Sequence, residues 1–197
     1  MSYDHDKSQL ILASASPRRR ELLQQAGVTF TVIPSNAAED VLPSEAPAAY
    51  ALRVAEAKAR EVATTHPGSV VLGADTIVVI NQTILGKPRD HNDGHRMLRL
   101  LSGQVHAVMT AFVVIRSDGQ AATRQVVTTT VTFKSLSDEQ IQAYLATGEP
   151  FDKAGAYAVQ GLGAALVEKV DGSYTNVVGL PLDEVLEALR SLQLYHK

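Results

Sequence analysis

The stretch VVLGADTIVV, residues 70–79, decides the fold of this 197-residue chain. Its valines, leucine and isoleucine form an apolar run that predicts a strand buried on both faces, as in an α/β sheet. Gly73-Ala74-Asp75 interrupts the apolar run, and we predict a break in the strand there. Burying a lone carboxylate is costly, so Asp75 needs a cation, hydrogen-bond donors or a raised pKa. Asp75 is therefore a candidate functional residue, and an acid that caps a turn at the strand end is the alternative.

Helix and strand patterns alternate on both sides of this stretch. Upstream, they predict a strand at 10–13, a helix from Pro17 to about residue 26, a strand at 30–33 and a helix from Pro47 to about residue 65. Downstream, they predict a helix at 91–101, strands at 105–115 and 125–133, a helix capped by Ser137 and Gln140, a strand at 164–170 and a last helix packing Val185 to Leu192. Such alternation with one hairpin predicts an α/β fold around a mixed sheet. No repeat or linker divides the chain, so we expect a single domain over residues 1–197.

Composition narrows the class of protein. The chain is 45% hydrophobic and 20% charged, as an ordinary globular protein is, and it has no cysteine for disulfides or thiolate chemistry. A net charge of -3 argues against a nucleic-acid or anionic-membrane partner. The polar segment Met1 to Gln9 is unlike a signal peptide, and no apolar run reaches membrane-spanning length. We therefore expect a cytoplasmic protein.

Three arginines stand at the start of the first predicted helix. Ser14-Ala15-Ser16-Pro17 is followed by Arg18, Arg19 and Arg20. A cation in the first turn of a helix costs roughly 0.3–1 kcal/mol because the helix dipole is positive there. Serine hydroxyls, backbone N–H groups and an arginine fork form a cradle for a phosphate, which removes the conflict. A solvated basic turn paired with surface acids is the alternative.

Three lysines and two acids extend this pattern. Lys58 falls on the apolar stripe of the second predicted helix, where it either extends to solvent or points at an anion beneath the helix. The turn at Gly86-Lys87-Pro88 brings Lys87 near the end of the central strand. With Glu39 and the pair Asp152-Lys153, these residues suit hydrolysis of a phosphate anhydride. Cations bind the phosphates, carboxylates hold a hard divalent ion, and one carboxylate activates water.

A series of motifs in fixed order resembles the Maf family of nucleoside triphosphate pyrophosphatases. The motifs are Leu12-Ala13-Ser14-Ala15-Ser16-Pro17-Arg18-Arg19, Gly73-Ala74-Asp75-Thr76, Gly86-Lys87-Pro88, Leu101-Ser102-Gly103, Asp152-Lys153-Ala154-Gly155-Ala156-Tyr157 and Asn176-Val177-Val178-Gly179-Leu180-Pro181. The resemblance runs from about Leu10 to Leu192. It implies a two-lobed α/β fold around an elongated mixed sheet with a central cleft, a homodimer, and Mg²⁺ or Mn²⁺ as cofactor.

The resemblance also implies roles for individual residues. The proton acceptor falls on Asp75, and Ser14, Arg18, Glu39, Lys58 and Lys87 match phosphate and metal positions. We take Glu39, Asp75, Lys58 and Lys87 as catalytic residues, and Glu39 and Asp75 as the metal ligands. The remaining substrate-binding residues are then Arg19 and Lys153, together with Thr76 and Gln160, which share the substrate-selecting positions with Arg18. Ala38 stands where many members have a second acid, which leaves one fewer candidate metal ligand.

The triplet Arg18, Thr76 and Gln160 resembles the subgroup that acts on dTTP and UTP. We therefore predict hydrolysis of these nucleotides, or of modified pyrimidine nucleotides, to a monophosphate and pyrophosphate. Glu39 and Asp75 remain interchangeable as the base. The alternative is a non-catalytic nucleotide-binding regulator of cell division and septum formation.

Overall fold

A computed structural model describes residues 9–196 of the chain. Its strands are β1 (Leu10–Leu12), β2 (Thr31–Val32), β3 (Val70–Ile80), β4 (Thr83–Leu85), β5 (Val105–Ile115), β6 (Ala121–Phe133) and β7 (Val167–Asp171). Its α-helices are α1 (Pro17–Gln25), α2 (Pro47–Thr65), α3 (His91–Leu101), α4 (Asp138–Ala146), α5 (Tyr174–Val178) and α6 (Leu182–Ser191). Within the described residues, seven strands form one sheet in the order β2-β1-β3-β5-β6-β7, with β4 paired to β3.

This arrangement confirms the predicted α/β fold with a mixed sheet. β1 pairs in parallel with β2 and β3, and the remaining pairs are antiparallel. No helix between residues 9 and 196 is long and apolar enough to span a membrane. The polar segment on which the expectation of no signal peptide rests lies, except for Gln9, outside the described residues.

The central strand β3 is continuous, so the predicted break at Gly73-Ala74-Asp75 is wrong. β5 pairs with β3 at every position from Val71 to Val79, and this ladder keeps the polar residues within the strand. On the other edge of β3, β1 pairs only with residues 70–72 and β4 only with residues 78–80. Residues 73–77 therefore have no strand partner on that edge in the described part of the chain.

The apolar core has three clusters, and two of them form the predicted lobes. On one face of the sheet, α2 packs against the cluster that includes Val71 and Val113. On the other face, α1 and α6 pack around Leu72 and Phe112, while α3 and α4 pack around Val78. β3 and β5 run through both of these clusters. The two lobes thus share β3 and β5 and meet between residues 74 and 78 of β3.

Gly73 determines how closely α2 approaches the sheet. A Cβ atom at this position would lie 2.4 Å from the carbonyl oxygen of Ala55 and 2.7 Å from the nitrogen of Ala59. A residue without a side chain permits this close backbone contact. The contact holds the middle of α2 directly over β3, which is where Lys58 meets Asp75.

Several smaller elements differ from the predictions. β6 begins at Ala121 instead of residue 125, and the predicted strand at 164–170 is a 3₁₀ segment, Gly161–Leu166, followed by β7. β4 and α5 were not predicted, because elements of three and five residues are too short for a periodic pattern to be detected.

Candidate active site

A cavity of about 460 Å³ opens at the part of β3 that has no strand partner. Successive residues of a strand point to opposite faces, so Asp75 and Thr76 would normally lie on different sides of the sheet. Both line this cavity, because the open edge of β3 gives access to both faces. The ten residues predicted as catalytic or binding all line it: Ser14, Arg18, Arg19, Glu39, Lys58, Asp75, Thr76, Lys87, Lys153 and Gln160.

The cavity is more positive than the rest of the chain. Five cations line its wall, Arg18, Arg19, Lys58, Lys87 and Lys153, against the three carboxylates of Glu39, Asp75 and Asp152. The chain as a whole carries a net charge of -3. A wall with excess positive charge inside an acidic protein selects an anionic ligand.

Lys58 lies between the two predicted acids. Its Nζ atom donates to Oδ1 of Asp75 at 2.8 Å and lies 2.6 Å from Oε1 of Glu39. The Lys58 and Asp75 side chains are only 11% and 10% exposed, so Lys58 does not extend to solvent and that alternative is wrong. Asp75 likewise pairs with a cation within the strand and does not cap a turn. Burial opposes ionisation of Glu39, but the hydrogen bond and charge of Lys58 lower the pKa of Glu39 below its ordinary value.

Arg19 is buried and links the start of α1 to the middle of the sheet. Its Nη1 atom donates to Ser14 Oγ at 2.9 Å, its Nη2 to Thr76 Oγ1 at 3.0 Å, and its Nε to the carbonyl oxygen of Gly179 at 2.8 Å. Burial lowers the pKa of Arg19, with the charge of Asp75 acting against this shift. A buried guanidinium bound to neutral acceptors on the cavity wall keeps its charge available for an anion.

Arg18 and Arg20 differ from each other. Arg18 lines the cavity, and its Nη1 atom lies 3.2 Å from Oδ2 of Asp152. The other oxygen of this carboxylate, Oδ1, pairs with Lys153 Nζ at 2.6 Å. Arg20 is exposed and is not part of the cavity wall, so the cavity is lined by two of the three arginines. Ser16 caps α1 by accepting from the Arg19 nitrogen, and therefore has a structural role at the helix start.

The remaining lysine and one tyrosine complete the wall. Lys87 lies two residues after the end of β4, is exposed, and forms no ion pair with the described residues. Tyr50 was missed by the sequence reasoning, although it continues the apolar stripe of α2 one turn ahead of Val54. Its hydroxyl donates to the carbonyl oxygen of Glu39 at 2.8 Å and so holds the Glu39 loop against α2. Burial raises the pKa of Tyr50 to about 12.

The comparisons with known proteins agree with the motifs. A family model described as Maf-like protein matches residues 9–192. The chain belongs to the Maf family. A protein of Geobacter sp. strain M21 named dTTP/UTP pyrophosphatase is 53% identical over 183 residues, which cover 93% of this chain and 95% of that protein. A protein of Anaeromyxobacter dehalogenans strain 2CP-1 with the same name is 54% identical and covers 92% of each chain.

One solved structure matches most of this Maf protein at low sequence identity. It is a nucleoside-triphosphatase, or dITP/XTP pyrophosphatase, from Mycobacterium abscessus. The match covers 94% of this chain and 95% of that chain, with a TM-score of 0.46 and 15% sequence identity.

The acids of this Maf protein suit a divalent cation that is shared with a substrate. Glu39 and Asp75 each use one carboxylate oxygen toward Lys58, and the second oxygen of each accepts no hydrogen bond from the described residues. These two hard oxygen donors face one cavity, and no cluster of three or more His, Cys, Asp or Glu side chains that could hold a metal occurs in residues 9–196. Mg²⁺ typically takes one or two carboxylates and completes its shell with water and phosphate oxygens. The donor set therefore fits such an ion but forms no complete protein cage.

Proposed function

We propose that this chain hydrolyses dTTP and UTP to the nucleoside monophosphate and pyrophosphate. The observation that carries the proposal is the single cavity in which cations from both lobes surround a carboxylate pair bridged by Lys58. The names of the relatives at 53% and 54% identity support the choice of pyrimidine substrates. Seven of the ten predicted site residues carry the roles below.

The cations bind and orient the triphosphate. Arg18, Lys87 and Lys153 present their charges at the cavity wall, and Arg19 supplies a buried charge at the start of α1. Fixed positive groups stabilise the charge that develops on the phosphoryl oxygens, which is the largest contribution to phosphoryl transfer. Arg18 exchanges Asp152 for a phosphate when the nucleotide enters, at little cost because the Asp152 side chain is 62% exposed.

Asp75 acts as the general base. Lys58 occupies its Oδ1 atom, so the two lone pairs of Oδ2 remain, one to accept the proton from water and one for the ion. The water oxygen forms a bond to the α-phosphorus, the bond between that phosphorus and the α–β bridging oxygen breaks, and pyrophosphate leaves. Glu39 and Asp75 would hold Mg²⁺ or Mn²⁺, which supplies charge neutralisation at the phosphates when it is bound. We assign the base to Asp75 because it is the more buried acid, with Glu39 left 48% exposed.

Hydrolysis in ¹⁸O-labelled water tests the reaction and its direction. We expect pyrophosphate release from UTP and dTTP with Mg²⁺, and the label in the monophosphate. Asp75→Asn should lower turnover by roughly 10²–10⁴, as loss of a general base does. Asp171→Asn, an exposed acid paired with Lys169 outside the cavity, is the matched control and should keep full activity.

Label in pyrophosphate would refute attack at the α-phosphorus, and near-normal turnover of Asp75→Asn would remove Asp75 as the base. Nucleotide binding without any pyrophosphate release would instead favour the non-catalytic regulator. No observation in the described residues favours that alternative.

A further inference from the structure

The loop that carries Gln160 is held from behind by two side chains outside the cavity. We define the selectivity loop as residues 158–163. Gln160 is exposed at its centre and lines the cavity, as does Ala158 at its start. Tyr144 on α4 and Glu149, in the 3₁₀ segment that follows α4, contact this loop but do not line the cavity.

Hydrogen bonds fix both ends of the selectivity loop. The Tyr144 hydroxyl accepts from the Ala158 nitrogen at 3.2 Å and donates to Oε1 of Glu149 at 2.8 Å. The same Oε1 atom accepts from the Gly163 nitrogen at 3.0 Å, and Oε2 accepts from the Leu162 nitrogen at 3.1 Å. The carboxylate and the hydroxyl thus bind three backbone N–H groups, one before Gln160 and two after it.

The packing at the end of the loop is as tight as its hydrogen bonding. A Cβ atom on Gly163 would lie 2.5 Å from the Tyr144 hydroxyl and 2.4 Å from the carbonyl oxygen of Ala158. The loop therefore folds back on itself against Tyr144, which is only 5% exposed. Burial opposes ionisation of Glu149, but hydrogen bonds from Tyr144 and from the two backbone N–H groups lower its pKa. Glu149 remains a carboxylate that can accept all three hydrogen bonds at neutral pH.

We propose that Tyr144 and Glu149 are positioning residues that set the nucleobase preference by fixing the selectivity loop, and hence Gln160, against the cavity. The inference rests on the proposed function, because it assigns Gln160 to the base of the nucleotide. A side-chain amide distinguishes bases only when its donor and acceptor are held in register with the base edge. A loop released from Glu149 keeps its residues but loses that register.

Glu149→Gln tests the role of the carboxylate. Glutamine has the same size, but its single carbonyl oxygen cannot accept all three hydrogen bonds, and its NH₂ group faces a backbone donor. We expect the KM for UTP and dTTP to rise about tenfold, kcat to change less than about threefold, and the preference for UTP over GTP to fall about tenfold. The Ki of inorganic tripolyphosphate, which has no base, should stay unchanged. The Ki of tripolyphosphate also shows whether the substitution disturbs Lys153, because Lys153 Nζ donates to the carbonyl oxygen of Glu149 at 2.6 Å.

Two controls separate positioning from a general structural effect. Glu56→Gln removes an acid that pairs with Arg60 and Arg124 outside the cavity, and it should leave the UTP preference unchanged. In a Gln160→Ala background, Glu149→Gln should alter the preference less than about twofold, because residues acting through one another are not additive. If Glu149→Gln fails to fold, Tyr144→Phe replaces it as the test variant. Tyr144→Phe should show the same rise in KM.

A parallel rise of the UTP KM and the tripolyphosphate Ki would overturn the inference, as would an equal loss of preference with and without Gln160. Absence of pyrophosphate release by the wild type would refute the proposed function instead. Calorimetric titration with UTP, GTP and tripolyphosphate would then make the same comparison through binding alone.

Discussion

Replacing Lys58 by methionine tests the electrostatic centre of the site. Methionine keeps the apolar stem but leaves Asp75 without the cation that lies 2.8 Å from its Oδ1 atom. Removing one partner of a buried ion pair costs about 3–5 kcal/mol. Because water can solvate the half-exposed Glu39, we expect the lower end, about 3 kcal/mol, or a fall in Tm of roughly 6–12 °C for a chain of this size. Urea denaturation measures the free energy of unfolding, and pyrophosphate release measures the expected loss of activity.

A second substitution and a surface control make this prediction sharp. Adding Asp75→Asn removes the unpaired charge, so the double variant should regain about 1–2 kcal/mol while staying inactive. Lys169→Met breaks a mostly exposed pair with Asp171 and should cost less than about 0.5 kcal/mol. A loss below about 1 kcal/mol for Lys58→Met, or further destabilisation in the double variant, would refute the reasoning.

Three further predictions concern pH, packing and metal. Burial lowers the pKa of His106 from 6.5 to about 4, so the unfolded chain binds the proton first and stability should fall by about 3 kcal/mol between pH 6.5 and pH 4. Urea denaturation at several pH values should show this fall in the free energy of unfolding in the wild type and not in His106→Gln. An equal fall in both proteins would contradict the prediction. Gly73→Ala should cost about 1–3 kcal/mol and lower kcat, because its Cβ atom would push α2 and Lys58 away from β3; an unchanged Tm would contradict this. Chelation should abolish pyrophosphate release, with recovery on adding Mg²⁺ or Mn²⁺, yet shift Tm by less than about 1 °C; a drop of several degrees would show that the ion holds the fold together.

The residues with the strongest local conflict were the ones that the sequence could identify. Asp75 stands out because it is a charged residue within an apolar strand pattern. Lys58 stands out because it is a charged residue on the apolar stripe of a helix. Their pairing satisfies both conflicts at once. Arg18 and Arg19 stand out against the helix dipole in the same way, and both line the cavity.

Contacts between distant parts of the chain could not be predicted. Arg18 meets Asp152 across 134 positions of sequence, and Arg19 meets Gly179 across 160. No periodic pattern encodes such pairs, since they depend on how the two lobes pack. The hydrogen bonds by which Tyr144 and Glu149 fix the selectivity loop could not be predicted for the same reason. The homodimer, the cytoplasmic location and the single-domain organisation stay predictions.

The five unpaired residues at the edge of β3 make the site a property of strand length. Its opening exists because β1 ends at Leu12, opposite Leu72, and β4 ends at Leu85, opposite Val78. Side chains around the rim can be exchanged to suit another ligand while the opening persists. An insertion that lengthened β1 by two or three paired residues would fill the opening with main chain. The acids and cations would then no longer line a cavity. Evolution of new specificities on this scaffold is therefore free in its side chains but restricted in where these two short strands end.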